Sequence, residues 1–148
     1  MSEYAEFLCR AKKATYAGKG REVSSSRLKS HDLKYSEGNK MYSDTYIGES
    51  DCAGDEALWI DNSPVWSMNY IGRVLDERFS GDFLKAALLN VPTSMPYRGP
   101  AEYREGDYVY KCSVTGGFEW FQGYDQIFYN DILIYECFFH GGKIHTVR

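Results

Sequence analysis

Residues 35–72 read YSEGNKMYSDTYIGESDCAGDEALWIDNSPVWSMNYIG, and residues 103–141 read YREGDYVYKCSVTGGFEWFQGYDQIFYNDILIYECFFHG. The second stretch follows the first. Tyr35, Glu37, Gly38, Tyr42 and Gly48 return as Tyr103, Glu105, Gly106, Tyr110 and Gly116 at a spacing of 68. One residue is then added. Gly54, Leu58, Trp59, Val65, Trp66, Tyr70 and Gly72 return as Gly123, Ile127, Phe128, Ile134, Tyr135, Phe139 and Gly141 at a spacing of 69. Two copies are too few for a solenoid, which needs three or more. The repeat predicts instead a pseudo-two-fold arrangement within a single domain over 1–148, with one unit at about 3–72 and a second at about 80–142.

Outward from the repeat, each unit reads as a helix followed by four strands. Tyr4, Phe7, Leu8 and Ala11 fall at i, i+3, i+4 and i+7, which predicts a helix over 3–16 with Arg10, Lys12 and Lys13 on its solvated side. Ser2 suits its N-cap. Residues 18–30 are polar and Gly/Ser-rich without a period, and read as a mobile loop. Strands are expected at 31–36, 40–48, 54–60 and 65–71, with turn chemistry at Glu37-Gly38-Asn39 and Asp61-Asn62-Ser63-Pro64. In the second unit Ser80 caps a helix whose stripe is Phe83, Leu84, Ala87, Leu88 and Val91, and Pro92 closes it. Strands at 101–105, 107–115, 119–129 and 132–140 complete it, with Asn130-Asp131 as the last hairpin turn.

Helices set apart from runs of strands argue for antiparallel sheet, hence α+β rather than α/β. The expected fold is an internally duplicated helix-plus-four-strand unit: a strongly bent antiparallel sheet, or an open barrel, packed with two helices.

A chain of 148 residues with 43% hydrophobic and 26% charged residues can bury a core without staples. Thirteen Tyr, eight Phe and three Trp suit pleated, half-buried surfaces. Charge is uneven: residues 1–34 carry eight Lys/Arg against four Asp/Glu, and the acidic remainder brings the net to −4. An acidic sheet argues against nucleic acid, which wants a concentrated basic face. No apolar run approaches a membrane span. Cys9, Cys52, Cys112 and Cys137 form no CxxC pair and follow no signal peptide, so reduced thiols in a cytoplasmic protein are expected, three of them in the core.

The run Tyr42-x-Asp44-x-Tyr46-x-Gly48, then Gly54-x-Glu56, then Pro64-Val65-Trp66-Ser67-Met68-Asn69-Tyr70-x-Gly72, resembles a bacterial and archaeal family of unknown function, DUF5680. Tyr97-Arg98-Gly99-Pro100, His140-Gly141-Gly142 and the opening Phe7-Leu8…Thr15-Tyr16-Ala17-Gly18 are similar to that family too. Its domain also occurs behind helix-turn-helix domains in regulators, so the resemblance implies a sensing or effector-binding role. It supplies no catalytic residues.

Strand alternation decides which side chains share a face. Tyr42, Asp44 and Tyr46 point one way on the second strand, Glu56, Leu58 and Ile60 on the third, and Trp66, Met68 and Tyr70 on the fourth. Placed on the concave side, they form a candidate ligand site of Asp44, Tyr46, Glu56, Trp66, Met68 and Tyr70. Aromatic faces with an acid suit an amine or a planar heterocycle. The competing structural role is that the acids pair with Tyr hydroxyls and tie strands together. The second unit has Cys112, Val114 and Asp125 at the positions of Asp44, Tyr46 and Glu56, so the polar positions have diverged while the apolar ones persist.

His140 falls on the opposite parity, and His31 and His145 lack ligand spacing, so no metal or cofactor site is expected. There is no P-loop, no GxGxxG opening a helix and no GxSxG elbow. Three functions stand: a sensor-like small-molecule-binding domain, a protein-interaction or homodimerisation module, and an acid/base hydrolase or isomerase using Asp44 and Glu56. The first, a non-enzymatic one, is favoured.

Overall fold

A computed structural model describes residues 2–145, with side chains from Glu3 onward. The elements run α1 (Ser2–Ala14), β1 (His31–Glu37), β2 (Lys40–Gly48), β3 (Cys52–Ile60), β4 (Ser63–Val74), α2 (Gly81–Leu88), β5 (Glu102–Glu105), β6 (Tyr108–Gly117), β7 (Trp120–Tyr129) and β8 (Ile132–Lys143). All eight strands join one antiparallel sheet in the order β1-β2-β3-β4-β8-β7-β6-β5. The class is α+β. Of the two arrangements expected, a bent sheet or an open barrel, the strands form a sheet that does not close: β1 and β5 are its two edges. Both edges are blunted, β5 by having only four residues and β1 by a bridge from Val23 to Asp32.

Turn chemistry fixes the register. Asp61 and Asn62 both have positive φ (51° and 66°), as do Asn130 and Asp131 (46° and 67°), giving two-residue type I′ connections between β3 and β4 and between β7 and β8. Their short polar side chains tolerate that left-handed backbone. Pro64 sits at the second position of β4, where the ladder shifts by one residue opposite Leu58 and Trp59. An irregularity of this kind accommodates a residue that cannot donate to the ladder.

That register puts Tyr35, Tyr42, Asp44, Glu56, Leu58, Trp66, Met68, Tyr70, Tyr110, Asp125, Ile127, Tyr135 and Phe139 on one face. Both helices cover that face. α1 lays Phe7 against Tyr35 at 5.8 Å between ring centroids. α2 lays Phe83 against Tyr103 and Tyr108 at 5.7 and 5.0 Å. Ser80 caps α2 by accepting from the Phe83 N–H. The corresponding role for Ser2 falls on a side chain outside those described.

Two sequence expectations need correction. Lys12 does not lie on the solvated side of α1: it is 7% exposed, because the buried stripe continues from Leu8 and Ala11 through Lys12 to Thr15. Residues 18–30 are also tied down. Asp32 accepts from the Ser26 N–H and from the hydroxyls of Ser26, Ser30 and Thr45. Burial pushes this carboxyl up, but those hydrogen bonds together outweigh it and bring its pKa down to about 2.

Candidate functional site

A cavity of about 80 Å³ is lined by both helices and the sheet. The end of α1 and the turn after it supply Lys12, Thr15 and Tyr16, α2 supplies Leu84 and Leu88, and the segment leading to β5 supplies Tyr97 and Arg98. The sheet supplies Tyr42, Asp44, Tyr46, Cys52, Glu56, Tyr70 and Tyr135, and Glu49 and Ser50 stand in the β2–β3 connection.

Four of the six residues chosen from sequence, Asp44, Tyr46, Glu56 and Tyr70, line this cavity. Trp66 and Met68 share their face but lie in the core at 0% exposure. Trp66 is sandwiched near Phe118 and Phe121, at 5.6 and 5.9 Å. The indole N–H of Trp66 has no hydrogen-bond partner among the described residues.

Asp44 and Glu56 are direct partners across the β2–β3 ladder. Two carboxyls placed so repel unless something intervenes. Glu56 is neutralised: its Oε1 accepts from the Lys12 ammonium and from the Tyr42 hydroxyl. Lys12 also donates to the Tyr97 carbonyl at 2.8 Å. The second buried cation, Arg98, is likewise committed, donating through Nε to Asp125 at 2.8 Å and through Nη2 to the Tyr135 hydroxyl at 3.0 Å. Tyr110 donates to the same Asp125 oxygen at 2.6 Å.

Asp44 is therefore the surplus acid. It is 4% exposed and accepts one hydrogen bond, from the Tyr70 hydroxyl to Oδ1 at 2.6 Å. No group among the described residues donates to its Oδ2. Burial first, and the charge of Glu56 second, push its pKa up to about 8, against the lowering effects of Tyr70, Lys12 and Arg98. Asp44 holds a proton at neutral pH in this setting. Tyr42 and Tyr70 are raised well above the ordinary phenol value, by burial and by the neighbouring carboxylates, and so act as donors.

The walls are aromatic. Tyr16 meets Tyr46 edge-on at 5.9 Å, and His31 stacks on Tyr46 at 4.8 Å. His31 is held between Glu22 and Glu49 at 2.8 and 3.1 Å. The hydrogen bond with Glu22, ahead of that with Glu49, raises its pKa.

Sequence reasoning missed Lys12, Tyr97 and Arg98. For Lys12 the signal was available, since position 12 follows Leu8 by one helical turn. Tyr97-Arg98 stood out only as part of a family motif, and nothing local announces that Arg98 reaches Asp125, 27 residues away. Among the described residues no group of three or more His, Cys, Asp or Glu side chains is placed to hold a metal ion. No helix among them is long and apolar enough to cross a membrane.

No curated protein and no solved structure matches this chain. A family model does, over residues 44–144, a span that takes in Asp44, Glu56, Tyr70, Arg98 and all of β4 to β8. The chain belongs to the family described as "Domain of unknown function (DUF5680)".

Proposed function

We propose that the cavity between the helices and the sheet is a small-molecule site, and that the protein is a sensor-like binding domain. The observation that carries this is Asp44: a buried carboxyl that faces a cavity and has no cation bonded to it among the described residues, although two cations lie close by. Purely structural acids are expected to be paired and hydrogen-bonded. Glu56 and Asp125 are so paired; Asp44 is left with one hydroxyl. Apolar and aromatic walls with a few convergent polar groups are the usual make-up of a ligand pocket.

The same reading treats the two halves as diverged copies. Tyr42 and Glu56 with Lys12 match Tyr110 and Asp125 with Arg98, each a tyrosine and a cation on one buried carboxylate oxygen. Asp44 has Cys112 as its counterpart at the repeat spacing. A single site in a two-fold scaffold accounts for a polar residue kept in one half alone.

A thermal-shift screen of the purified protein against a metabolite library tests the proposal, with Asp44→Asn and Tyr46→Ala run alongside. A ligand present at 100 times its Kd adds about 2.7 kcal/mol of stability. A hit weakened in both variants supports the site. Hits unaffected by either variant, or none at all, overturn it.

A second reading is favoured by a different observation. The uncovered face of the sheet exposes Ile71 (61%), Phe138 (55%) and Trp120 (82%). Apolar side chains on an open face suit an interaction or homodimerisation surface. Sedimentation of wild type against Phe138→Ser decides it: a concentration-dependent dimer lost in the variant is the supporting result.

A further inference from the structure

We infer that the group anchored in the cavity is a small ammonium, which takes the place of the proton on Asp44 and lies against the free oxygens of Asp44 and Glu56. This inference rests on the small-molecule reading above and narrows it to a chemical class.

Charge balance comes first. The buried charged groups in and beside the cavity are two cations, Lys12 and Arg98, and three carboxyls, Asp44, Glu56 and Asp125; Glu49, at the rim, is exposed and held against His31. Each cation is already bonded to a carboxylate, so full ionisation leaves one buried negative charge. A buried charge without a partner is costly and is removed either by taking up a proton or by binding a counter-ion. Neither buried cation, Lys12 or Arg98, is free to meet an anionic ligand. A monocation restores neutrality without breaking any existing pair.

Geometry agrees. Asp44 and Glu56 are neighbours across the ladder, and each uses a single oxygen for its protein partners: Oδ1 for Tyr70, Oε1 for Lys12 and Tyr42. An ammonium offers three donors and no acceptor, matching a pair of carboxylate oxygens. The volume limits the rest of the molecule. A dry cavity of about 150 Å³ holds benzene, so about 80 Å³ admits a head group and a few carbons. Anything longer runs toward the rings of Tyr16 and Tyr46, which offer apolar contact to its methylenes.

Binding of this kind is linked to protons. Asp44 is faced by Lys12 from α1, by Glu56 and Cys52 from β3, by Tyr42 and Tyr46 from its own strand, by Tyr70 from β4, by Tyr16 after α1 and by Arg98 before β5. The tyrosines, raised or held as donors, remain neutral below pH 9, as does Cys52, which burial raises. Of the groups that face Asp44, the one that titrates between pH 6 and 9 is Asp44 itself, raised by burial and by Glu56 to about 8; His31, raised by its hydrogen bond with Glu22, touches the cavity wall at Tyr46, and the Asp44→Asn variant tells the two apart.

The test is an NMR titration of the labelled protein with n-butylammonium chloride and, separately, with 1-butanol, at constant ionic strength from pH 6 to 9. The expected result is amine binding that tightens about tenfold per pH unit from 6 to 8 and then levels, because each molecule bound displaces one proton. Butanol should bind at least tenfold more weakly at pH 8. Amide shifts should centre on Asp44, Tyr46 and Glu56, and Asp44→Asn should abolish the pH dependence. Calorimetry in buffers of different ionisation enthalpy should show about one proton released per amine at pH 7, a readout that needs no variant. Butanol binding as well as the amine, or amine affinity that is flat or falls with pH, would overturn the ammonium and leave the pocket standing with Asp44 as a neutral donor. If neither probe binds while a screened metabolite does, the ammonium is again overturned and the pocket kept. If nothing binds in titration or screen, both fail.

Discussion

Asp44 and Glu56 stand opposite one another on β2 and β3, yet among the described residues only Glu56 has a cation bonded to it. In a pair of this kind the acid without a cation is the one that keeps its proton. Four predictions follow from that asymmetry and from the packing around it.

Asp44→Asn should stabilise the ligand-free protein, increasingly so with pH. In the unfolded chain an Asp loses its proton near pH 4, whereas in the folded protein Asp44 keeps it to about 8. Between those values the folded state binds more protons, so the Asp44 contribution lowers stability as pH rises and levels off above 8. Asn can still accept from Tyr70 without that liability. Denaturant unfolding should give equal stabilities near pH 4 and an advantage for the variant that grows by roughly 1.4 kcal/mol per pH unit, to about 5 kcal/mol at pH 8.

Lys12→Met should destabilise the fold by about 3–5 kcal/mol, since it strands Glu56 beside Asp44 without its cation. Adding Glu56→Gln should recover most of the loss, because the buried charge is then gone. Chemical denaturation of the single and double variants measures the coupling. A solvated Lys12, as the sequence implied, would leave both values near zero.

Arg98→Lys should not rescue the second cluster. Arg98 bonds Asp125 through Nε and Tyr135 through Nη2, two directions from one planar group, while Lys offers a single point charge. A loss of about 2–4 kcal/mol in urea unfolding is expected, against the near-neutral outcome of most surface Arg→Lys changes.

Trp66 and Trp120 should not behave alike. Trp66→Ala should cost about 3–5 kcal/mol, as it empties a fully buried site stacked on Phe118 and Phe121. Trp120→Ala, with 82% of its surface exposed, should fall within about 0.5 kcal/mol. Melting temperatures of the two variants are a direct comparison.

Much of this fold was legible because its signals are local. Period-two alternation and turn residues such as Asp61-Asn62 and Asn130-Asp131 placed every strand within a few residues of its observed bounds. Alternation also put Asp44, Glu56 and Tyr70 on one face. What it could not say is how deep each position lies under the helices. Trp66 and Met68 share that face but are sealed in the core, whereas Asp44 and Tyr46 line the cavity. Lys12 was misplaced because a long cationic side chain was taken as solvated, although its ammonium is neutralised by a residue 44 positions away. The order of the strands beyond β4, which brings β8 beside it, is a long-range choice that no short motif encodes.

The most direct measurement is a carbon-detected NMR titration of the Asp44 carboxyl in the ligand-free protein. A midpoint near 8 is expected, moving down by a unit or more when n-butylammonium is present at saturation. A midpoint near the ordinary value of about 4 would mean that Asp44 is a partnered structural carboxylate, and the surplus charge on which the binding site rests would not exist.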